Sequence, residues 1–335
     1  MTPLIRFSAM WRICILGILF WCVAGSALAR PLRLQLKWYH QAQFAGCYVA
    51  IEKGFYKDHG IEVALIEGGP GKNQSQALAE HHADLAISSP EDLLMNRSQG
   101  YPITAVSAIY RKSAVVFLAR QGSGIVSPSD FAKKIIAAKR SGGVADFSLQ
   151  FDALMKNMQV DRSEIILAPY DVEYKGFMDG SVDITPAYFT GGLIKLLTWG
   201  VKVNIIYPGD YRVRFYSDIL MTTDDLIETN PGLVQGAVSA TLKGWRFAIE
   251  NIELSIPIIL KYARIKDAGL QRKMLEAAVP LVHTGEKRIG WMSRQEWSHM
   301  HDILLDQKII GNPITSIDKV FTNKFVEKTY TEPTP

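Results

Sequence analysis

The fold is decided by residues 32–66, which read LRLQLKWYHQAQFAGCYVAIEKGFYKDHGIEVALI. Leucines alternate with polar residues over 32–38, which is the period of a half-buried strand. Apolar residues then recur at helical spacing over 44–55, and Gly60 is well placed to end that helix. A second alternating run follows over 61–65. The stretch therefore predicts a strand, a helix and a second strand.

The same alternation of strands and helices continues along the chain as far as about Thr223. Ser89 and Pro90 supply an N-cap and a first helical residue, and together they predict a helix start. Beyond Thr223 the pattern is almost wholly helical, and Ser293 with Glu296 predicts a capping box. Such alternation predicts parallel-rich sheets with helices on both faces. We therefore expect an α/β fold in which two lobes share a chain that crosses between them, with a helical C-terminal section. Further strands are expected near residues 85–87, 103–109, 114–119, 135, 165–167, 182–188 and 201–206, and late helices over 233–249, 252–262, 270–282 and 293–305.

The composition excludes several classes of protein. The chain has 335 residues, of which 48% are hydrophobic and 21% charged, so it can bury real cores and is neither disordered nor fibrous. Its formal charge of +4 is dispersed along the chain and does not indicate a nucleic-acid surface. Three cysteines cannot build a disulfide scaffold. Cys47 lies in an apolar helical stripe, which is typical of a small core residue.

The first 29 residues have the pattern of a secretory signal. Arg6 and Arg12 precede an apolar run over 13–25, and residues 26–29 supply the small residues of a cleavage site. A membrane-spanning helix needs roughly 20 apolar residues, so an uncleaved anchor is the less favoured alternative. We expect cleavage after Ala29 and a mature protein in a Gram-negative periplasm.

Motifs for catalysis, cofactor binding and metal binding are incomplete in this sequence. Residues 71–73 resemble the end of a phosphate-binding loop, but Ile66 and Asn73 occupy positions that such a loop gives to other residues. His299 and His301 lie two residues apart on a predicted helix, whereas a metal pair needs a spacing of three or four. We therefore expect neither a cofactor nor a metal, and a protein that is not an enzyme.

The carboxyl ends of the predicted strands carry the side chains that suit a ligand. In open parallel sheets ligands bind at these ends, where loops and helix N-termini converge. The residues there are aromatic or small and polar, with few charges, which suits a flat heteroaromatic molecule. We expect Trp38 and Tyr188 to sandwich this ligand from opposite lobes, the alternative being that either ring only packs between the lobes. The candidate binding residues are Trp38, Gln41, Gly68, Gly69, Ser88, Ser89, Glu91, Tyr110 and Tyr188.

Several blocks of sequence resemble those of one protein family. The blocks are residues 34–38 (LQLKW), 41–46 (QAQFAG), 52–56 (EKGFY), 60–63 (GIEV) and 68–70 (GGP). Together they resemble the substrate-binding proteins of ABC importers for the pyrimidine precursor of thiamine and for riboflavin. The same family includes hydroxymethylpyrimidine phosphate synthases. The resemblance is dense over residues 32–110 and continues more loosely to about residue 262.

The resemblance implies a bilobal type II periplasmic-binding-protein fold that holds its ligand in the cleft between the lobes. It implies a first lobe of residues 30–117 and 215–335 and a second lobe of residues 118–214. It adds Tyr216 and Asp218, which lie in a later matching block, to the candidate ligand-binding residues. It also implies an ABC permease of the inner membrane as partner, with no nucleic acid involved, and we expect a monomer.

The chain departs from this family at two places. The synthases carry a Lys and a His just after the third strand, where this chain has Ser88 and Asp92, and a Schiff base cannot form without the amine. Many binding relatives have an Asn-Glu pair where this chain has Gly191 and Gly192. We therefore predict a binding protein for a thiamine pyrimidine precursor. The alternatives are riboflavin or another flat ligand, a periplasmic sensor and, less favoured, a synthase.

Overall fold

The computed structural model describes residues 30–139 and 145–331. The predicted signal segment, residues 1–29, lies outside them. Within the described residues, no helix is long and apolar enough to cross a membrane. The same residues form ten strands, which are β1 (Leu32–Gln35), β2 (Val63–Ile66), β3 (Leu85–Ser88), β4 (Ile103–Ala108), β5 (Val115–Arg120), β6 (Ile135–Lys139), β7 (Ile166–Pro169), β8 (Ile184–Tyr188), β9 (Val203–Ile206) and β10 (Ile219–Thr223).

The strands form two five-stranded sheets of the same topology. The first sheet has the order β2-β1-β3-β10-β4 and the second has the order β7-β6-β8-β5-β9. In the first sheet β10 runs antiparallel to both of its neighbours, and in the second sheet β5 does the same. Each sheet therefore has four strands in one direction and one reversed strand. The prediction of parallel-rich sheets is confirmed. The sequence pattern did not predict the one reversed strand in each sheet.

The two reversed strands mark the places where the chain crosses between the sheets. The chain leaves the first sheet after β4 to form β5, and it returns to the first sheet as β10. The boundary predicted after residue 117 falls inside β5, all of which belongs to the second sheet. The alternating pattern predicts the strand itself, but it carries no information about which sheet the strand joins.

Helices flank both sheets, and their ends test two predicted caps. The helix start at Pro90 is confirmed, because the Asp92 N–H donates to the Ser89 hydroxyl at 3.2 Å. The capping box at Ser293 is wrong, since that side chain makes no cap and its backbone N–H donates to the Tyr216 hydroxyl at 2.8 Å. The helices within the described residues are α1 (Ala45–Glu52), α2 (Gln74–Ala79), α3 (Pro90–Ser98), α4 (Ala145–Asn157), α5 (Lys175–Asp179), α6 (Gly192–Thr198), α7 (Asp224–Thr229), α8 (Pro231–Glu250), α9 (Ile252–Tyr262), α10 (Ala268–Val282), α11 (Arg294–Asp306) and α12 (Lys324–Thr331).

Two glycines bring the C-terminal helical section onto the first part of the chain. A Cβ on Gly46 of α1 would overlap the Trp245 ring of α8, and a Cβ on Gly244 would overlap the Gly46 carbonyl oxygen. Trp245 is fully buried there. Cys47 is buried in the same cluster, and burial raises the pKa of its thiol to about 12, as suits a core residue. The contact ties α8 to the β1-α1 unit from which the fold begins.

Candidate functional site

A cavity of about 290 Å³ lies where loops and helices from both sheets meet. One side of the cavity is formed by the loop after β1 together with residues before and within α10. The other side is formed by the loop after β7, the end of β8 and the starts of α4 and α6. The lining residues are Lys37, Trp38, Tyr39, His40, Gln41, Gln43, Phe147, Tyr170, Val172, Glu173, Tyr174, Tyr188, Gly191, Gly192, Lys195, Arg264, Ile265, Gln271 and Met274.

Aromatic rings form much of the cavity wall on the side of the second sheet. The Phe147 ring lies 5.0 Å from that of Tyr170 and 5.8 Å from that of Tyr188, in edge-to-face geometry both times. The hydroxyls of Tyr170 and Tyr174 are 3.1 Å apart, and burial raises the pKa of Tyr174 to about 12. These contacts hold the rings in fixed orientations. The wall can therefore stack on a flat ligand without first having to become ordered.

The facing wall comes from the loop after β1. The Trp38 and Tyr39 rings lie 5.3 Å apart, and the Arg264 guanidinium lies 3.8 Å above the Tyr39 ring. Gly69, with a φ of +135°, lets the neighbouring turn pass beneath this ring, because a Cβ there would meet Tyr39 at 2.6 Å. A Cβ on Gly68 would overlap the backbone between Leu36 and Trp38. The two predicted glycines thus position this loop, and neither is among the lining residues.

A chain of polar side chains runs from the cavity into the protein interior. The Gln41 amide donates to the Gln43 side-chain oxygen at 2.8 Å, and the Gln43 amide donates to Asp218 at 2.7 Å. The Lys37 ammonium lies 3.6 Å from the other Asp218 oxygen and also donates to the Tyr188 hydroxyl. Asp218 is buried and Lys37 nearly so. The ion pair therefore links a loop of the first sheet to a ring at the end of β8 in the second.

Each cation that lines the cavity has a carboxylate beside it. Besides Lys37, Lys195 pairs with Glu173 at 3.1 Å, and Arg264 donates to both oxygens of Glu67 at 2.7 and 2.6 Å. Burial lowers the pKa of the His40 imidazole below its usual 6.5, so that it is neutral at pH 7. Within the described residues no group of three or more His, Cys, Asp or Glu is placed to hold a metal ion. The cavity is thus close to electrically neutral.

Three of the predicted site residues, Trp38, Gln41 and Tyr188, line the cavity. They come from both sides of it, since the first two follow β1 and the third ends β8. A Cβ on Gly191, at the start of α6, would lie 3.5 Å from the Gln41 amide nitrogen, so the two sides approach closely here. The structure therefore brings the expected pair of rings, Trp38 and Tyr188, to one cavity.

The predicted site residues at and after the end of β3 are buried and make hydrogen bonds inside the protein. The Ser88 hydroxyl donates to the Asp92 carboxylate at 2.8 Å, and Ser89 caps α3. Glu91 is fully buried and accepts from the Gln150 amide at 2.8 Å. Burial raises the pKa of Asp92, although the hydrogen bonds that this carboxylate accepts act to lower it. The expectation that these three residues line the site is corrected, because all three are buried and none is among the lining residues of the cavity.

The last three predicted residues also lie away from the cavity surface. Tyr110 is buried with its ring edge-on to Trp245 at 5.8 Å, and Tyr216 is buried against Trp297 at 5.9 Å. Asp218 lies behind the cavity and reaches it through Gln43 and Lys37. Tyr110 and Tyr216 are therefore core residues, and Asp218 supports the lining residues from behind.

Sequence analysis overlooked the aromatic residues that follow β7. Tyr170 and Tyr174 are four residues apart, directly after a predicted strand, and so obey the rule applied to the other strand ends. Phe147 lies in a run of apolar residues at helical spacing, which gives no sign that the ring faces a cavity. Lys37 alternates with the leucines of the predicted strand, but β1 ends at Gln35 and Lys37 lies in the loop.

Comparison of the sequence with known proteins found relatives that are named as binding proteins. The chain is 24% identical over 305 residues to the riboflavin-binding protein RibY of Chloroflexus aurantiacus, covering 89% of this chain and 86% of RibY. It is 22% identical over 311 residues to a formylaminopyrimidine-binding protein of Halalkalibacterium halodurans, covering 85% of this chain and 90% of the relative. A 4-amino-5-hydroxymethyl-2-methylpyrimidine phosphate synthase of Legionella pneumophila is 21% identical over 313 residues, covering 92% and 96% of the two chains.

Comparison of the structures confirms the periplasmic-binding-protein fold. The crystal structure of the periplasmic aliphatic sulphonate binding protein SsuA of Escherichia coli is similar with a TM-score of 0.69. The match covers 87% of this chain and 92% of SsuA at 13% sequence identity. A family model described as NMT1/THI5 like matches residues 41–253. That match spans well over half of the chain, and the chain therefore belongs to the NMT1/THI5-like family.

Proposed function

We propose that this protein is the substrate-binding protein of an ABC importer and that it binds an uncharged heteroaromatic vitamin precursor. The observation that carries the proposal is the cavity between the two sheets, whose rings come from both sides. A ligand held between Trp38 and Tyr188 contacts both lobes, so its binding favours the closed arrangement. Two relatives are named as a riboflavin-binding protein and a formylaminopyrimidine-binding protein, and these names support the same class of ligand.

The pairing of charges in the cavity supports an uncharged ligand. Lys37, Lys195 and Arg264 each have a carboxylate beside them. An anionic ligand such as a sulfonate would have to draw a cation away from its carboxylate or remain buried without a counter-charge, which is costly. We therefore expect the protein to discriminate against sulfonates, although its fold is that of a sulphonate-binding protein.

The size of the cavity favours a single-ring ligand. Small-molecule sites in proteins usually measure about 300 to 1,000 Å³, and this cavity of about 290 Å³ lies at the low end. The pyrimidine moiety of thiamine has one ring and small substituents, whereas riboflavin has three fused rings and a ribityl chain. The thiamine pyrimidine is therefore the first candidate and riboflavin the second.

The synthase alternative is tested by the amines of the site. Ser88 stands where the synthases carry their lysine, and its hydroxyl is bonded to Asp92. The lining amine of Lys37 lies 3.6 Å from the buried Asp218 carboxylate and donates to the Tyr188 hydroxyl, so it is already engaged by two partners. We expect that incubation with pyridoxal phosphate gives no Schiff-base absorbance and that borohydride traps no adduct. A stoichiometric adduct on one lysine would reverse this ranking.

We also propose a periplasmic location after cleavage at Ala29, a monomeric state and an inner-membrane ABC permease as partner. The signal pattern and the names of the binding relatives support this set. The intact mass of the exported protein should begin at Arg30. Recovery of the full-length chain in the membrane fraction would favour the anchored sensor instead, as would a neighbouring gene for a receptor kinase in place of a permease.

Calorimetric titration tests the ligand directly. We expect 4-amino-5-hydroxymethyl-2-methylpyrimidine to bind more tightly than riboflavin, and its phosphate ester and alkanesulfonates to bind at least about tenfold more weakly. Small-angle scattering should show a smaller radius of gyration with ligand than without it. Tighter binding of a sulfonate than of any uncharged heterocycle would overturn the proposal.

A further inference from the structure

The Gln41 side chain lines the cavity from the loop after β1 and keeps hydrogen-bonding groups for a ligand. A side-chain amide has two N–H donors and a carbonyl oxygen that accepts. One donor of Gln41 is used, because its Nε2 lies 2.8 Å from the Gln43 Oε1. Among the residues that the structure describes, the Gln41 side chain makes no other hydrogen bond. One N–H and the carbonyl oxygen therefore remain at the cavity.

A buried carboxylate fixes which way round the two amides lie. Asp218 accepts from the Gln43 Nε2 at 2.7 Å, and both of these residues are buried. Because a carboxylate only accepts, Gln43 turns its NH₂ group to Asp218 and its oxygen to Gln41. That oxygen needs a donor, so Gln41 turns its NH₂ group to Gln43. Turning either amide over would place two oxygens against each other in the protein interior, which is costly.

An amide of fixed orientation distinguishes two kinds of ring edge. Gln and Asn pair with adenine through two hydrogen bonds, in which the carbonyl accepts from the amino group and the N–H donates to a ring nitrogen. A 4-aminopyrimidine has the same order of groups, an amino donor beside the acceptor N3. A 4-oxopyrimidine in its lactam form has the reverse order, an acceptor oxygen beside an N3–H donor. Gln41 could pair with that edge only by turning its amide over.

We propose that the chain from Asp218 through Gln43 makes Gln41 a specificity residue, which selects a 4-aminopyrimidine over its 4-oxo analogue. This inference rests on the proposed function, because it requires a pyrimidine in the cavity. It assigns the selectivity to a different part of the site from the affinity. Trp38 and Tyr188 can stack on either ring, so the choice between the two compounds depends on the amide chain.

The test is calorimetric titration with 4-amino-5-hydroxymethyl-2-methylpyrimidine and with its 4-oxo analogue. The analogue keeps the 2-methyl and 5-hydroxymethyl groups, which hold the ring in the same orientation. Gln43→Met breaks the chain at similar side-chain length, and Gln41→Met removes the selecting amide. Gln150→Met is the matched control, because Gln150 is a buried glutamine that donates to the Glu91 carboxylate at 2.8 Å and does not line the cavity.

The measured quantity is the Kd of the oxo compound divided by that of the amino compound. We expect a ratio of at least about tenfold for the wild type and for Gln150→Met, as amide pairs of this kind give between bases. Gln43→Met frees the Gln41 amide to turn over, so the ratio should fall below about threefold. The oxo compound should then bind more tightly than it does to the wild type. Damage to the site would not produce such a gain.

Gln41→Met should bind the amino compound more weakly than the wild type does and should also give a ratio below about threefold. This side chain is only half-buried, so the variant decides the question if thermal unfolding shows that Gln43→Met does not fold. A wild type that binds the amino compound with a ratio below about threefold would overturn the inference and leave the proposed function standing. So would an unchanged ratio in folded Gln43→Met. Failure of the wild type to bind the amino compound would overturn the proposed function and this inference with it.

Discussion

Replacement of Trp38 by Ala is the sharpest test of the proposed ligand site. Trp38 lines the cavity beside Tyr39, on the side opposite Tyr188. Stacking of aromatic rings contributes about 0.5 to 1.5 kcal/mol beyond the burial of their area. A ligand that covers about 50 Å² of the indole face, a fraction of what an aromatic side chain buries, adds about 1.3 kcal/mol at about 25 cal/mol per Å². The expected loss is therefore about 2 to 3 kcal/mol, or roughly 30- to 150-fold in Kd.

The assay is calorimetric titration of the purified variants with 4-amino-5-hydroxymethyl-2-methylpyrimidine. Trp38→Phe keeps a ring that can stack, so we expect it to lose much less affinity than Trp38→Ala. Tyr101→Ala is the control, because Tyr101 is 38% exposed and is not among the lining residues of the cavity. It should bind like the wild type.

The result that would refute the reasoning is specific. If Trp38→Ala binds the pyrimidine within about twofold of the wild type and unfolds at the same temperature, stacking on Trp38 contributes nothing to binding. Trp38 would then serve only to pack between the lobes, and the proposed sandwich with Tyr188 would be wrong. An equal loss of affinity in Tyr101→Ala would show that the effect of Trp38→Ala is not specific to the cavity.

Three further predictions concern the residues that support the site. Lys37→Gln removes the ammonium beside the buried Asp218 carboxylate and should lower the free energy of unfolding by about 3 kcal/mol in urea, with Asp218→Asn on the same background restoring part of it. Gly192→Ala would place a methyl group on a tyrosine hydroxyl and should cost about 1 to 3 kcal/mol, whereas Gly209→Ala, in open space, should shift Tm little; equal shifts would contradict this. Hydrogen bonds from its arginine partner lower the pKa of Glu67 below 4.5, so its carboxylate stabilises the fold above that pH and the effect is lost as pH falls through the lowered pKa. The stability difference between wild type and Glu67→Gln should therefore shrink from pH 7 to pH 3.5, and a constant difference would refute the ion pair's role.

The succession of strands and helices could be predicted because it depends on local periodicity. The βαβ unit over residues 32–66 appears in the structure as β1, α1 and β2. The reversed directions of β5 and β10 could not be predicted in the same way. An alternating strand has the same pattern whichever way it runs, and its direction is set by partners far away in sequence. The crossing of the chain therefore needed the structure.

The strand-end rule indicates an edge of the sheet but not the depth of a residue below its surface. Trp38 and Tyr188 lie at strand ends that face the cavity. Ser88 and Glu91 also lie at a strand end, but both are buried and neither lines the cavity. Tyr110 follows β4 and is covered by α8. Side-chain types alone cannot separate these cases, because coverage comes from elements that are distant in sequence.

The position of Asp218 shows how a residue away from the cavity can still belong to the site. Asp218 precedes β10, at the point where the chain returns to the first sheet, and it is buried. A buried carboxylate is costly unless charged and polar partners satisfy it, and here those partners include Lys37 and Gln43, both of which line the cavity. Lys37 in turn reaches the Tyr188 hydroxyl at the end of β8. Because this contact joins the two sides, a ligand that contacts both favours the arrangement in which Lys37 meets Tyr188 and Asp218 holds it there.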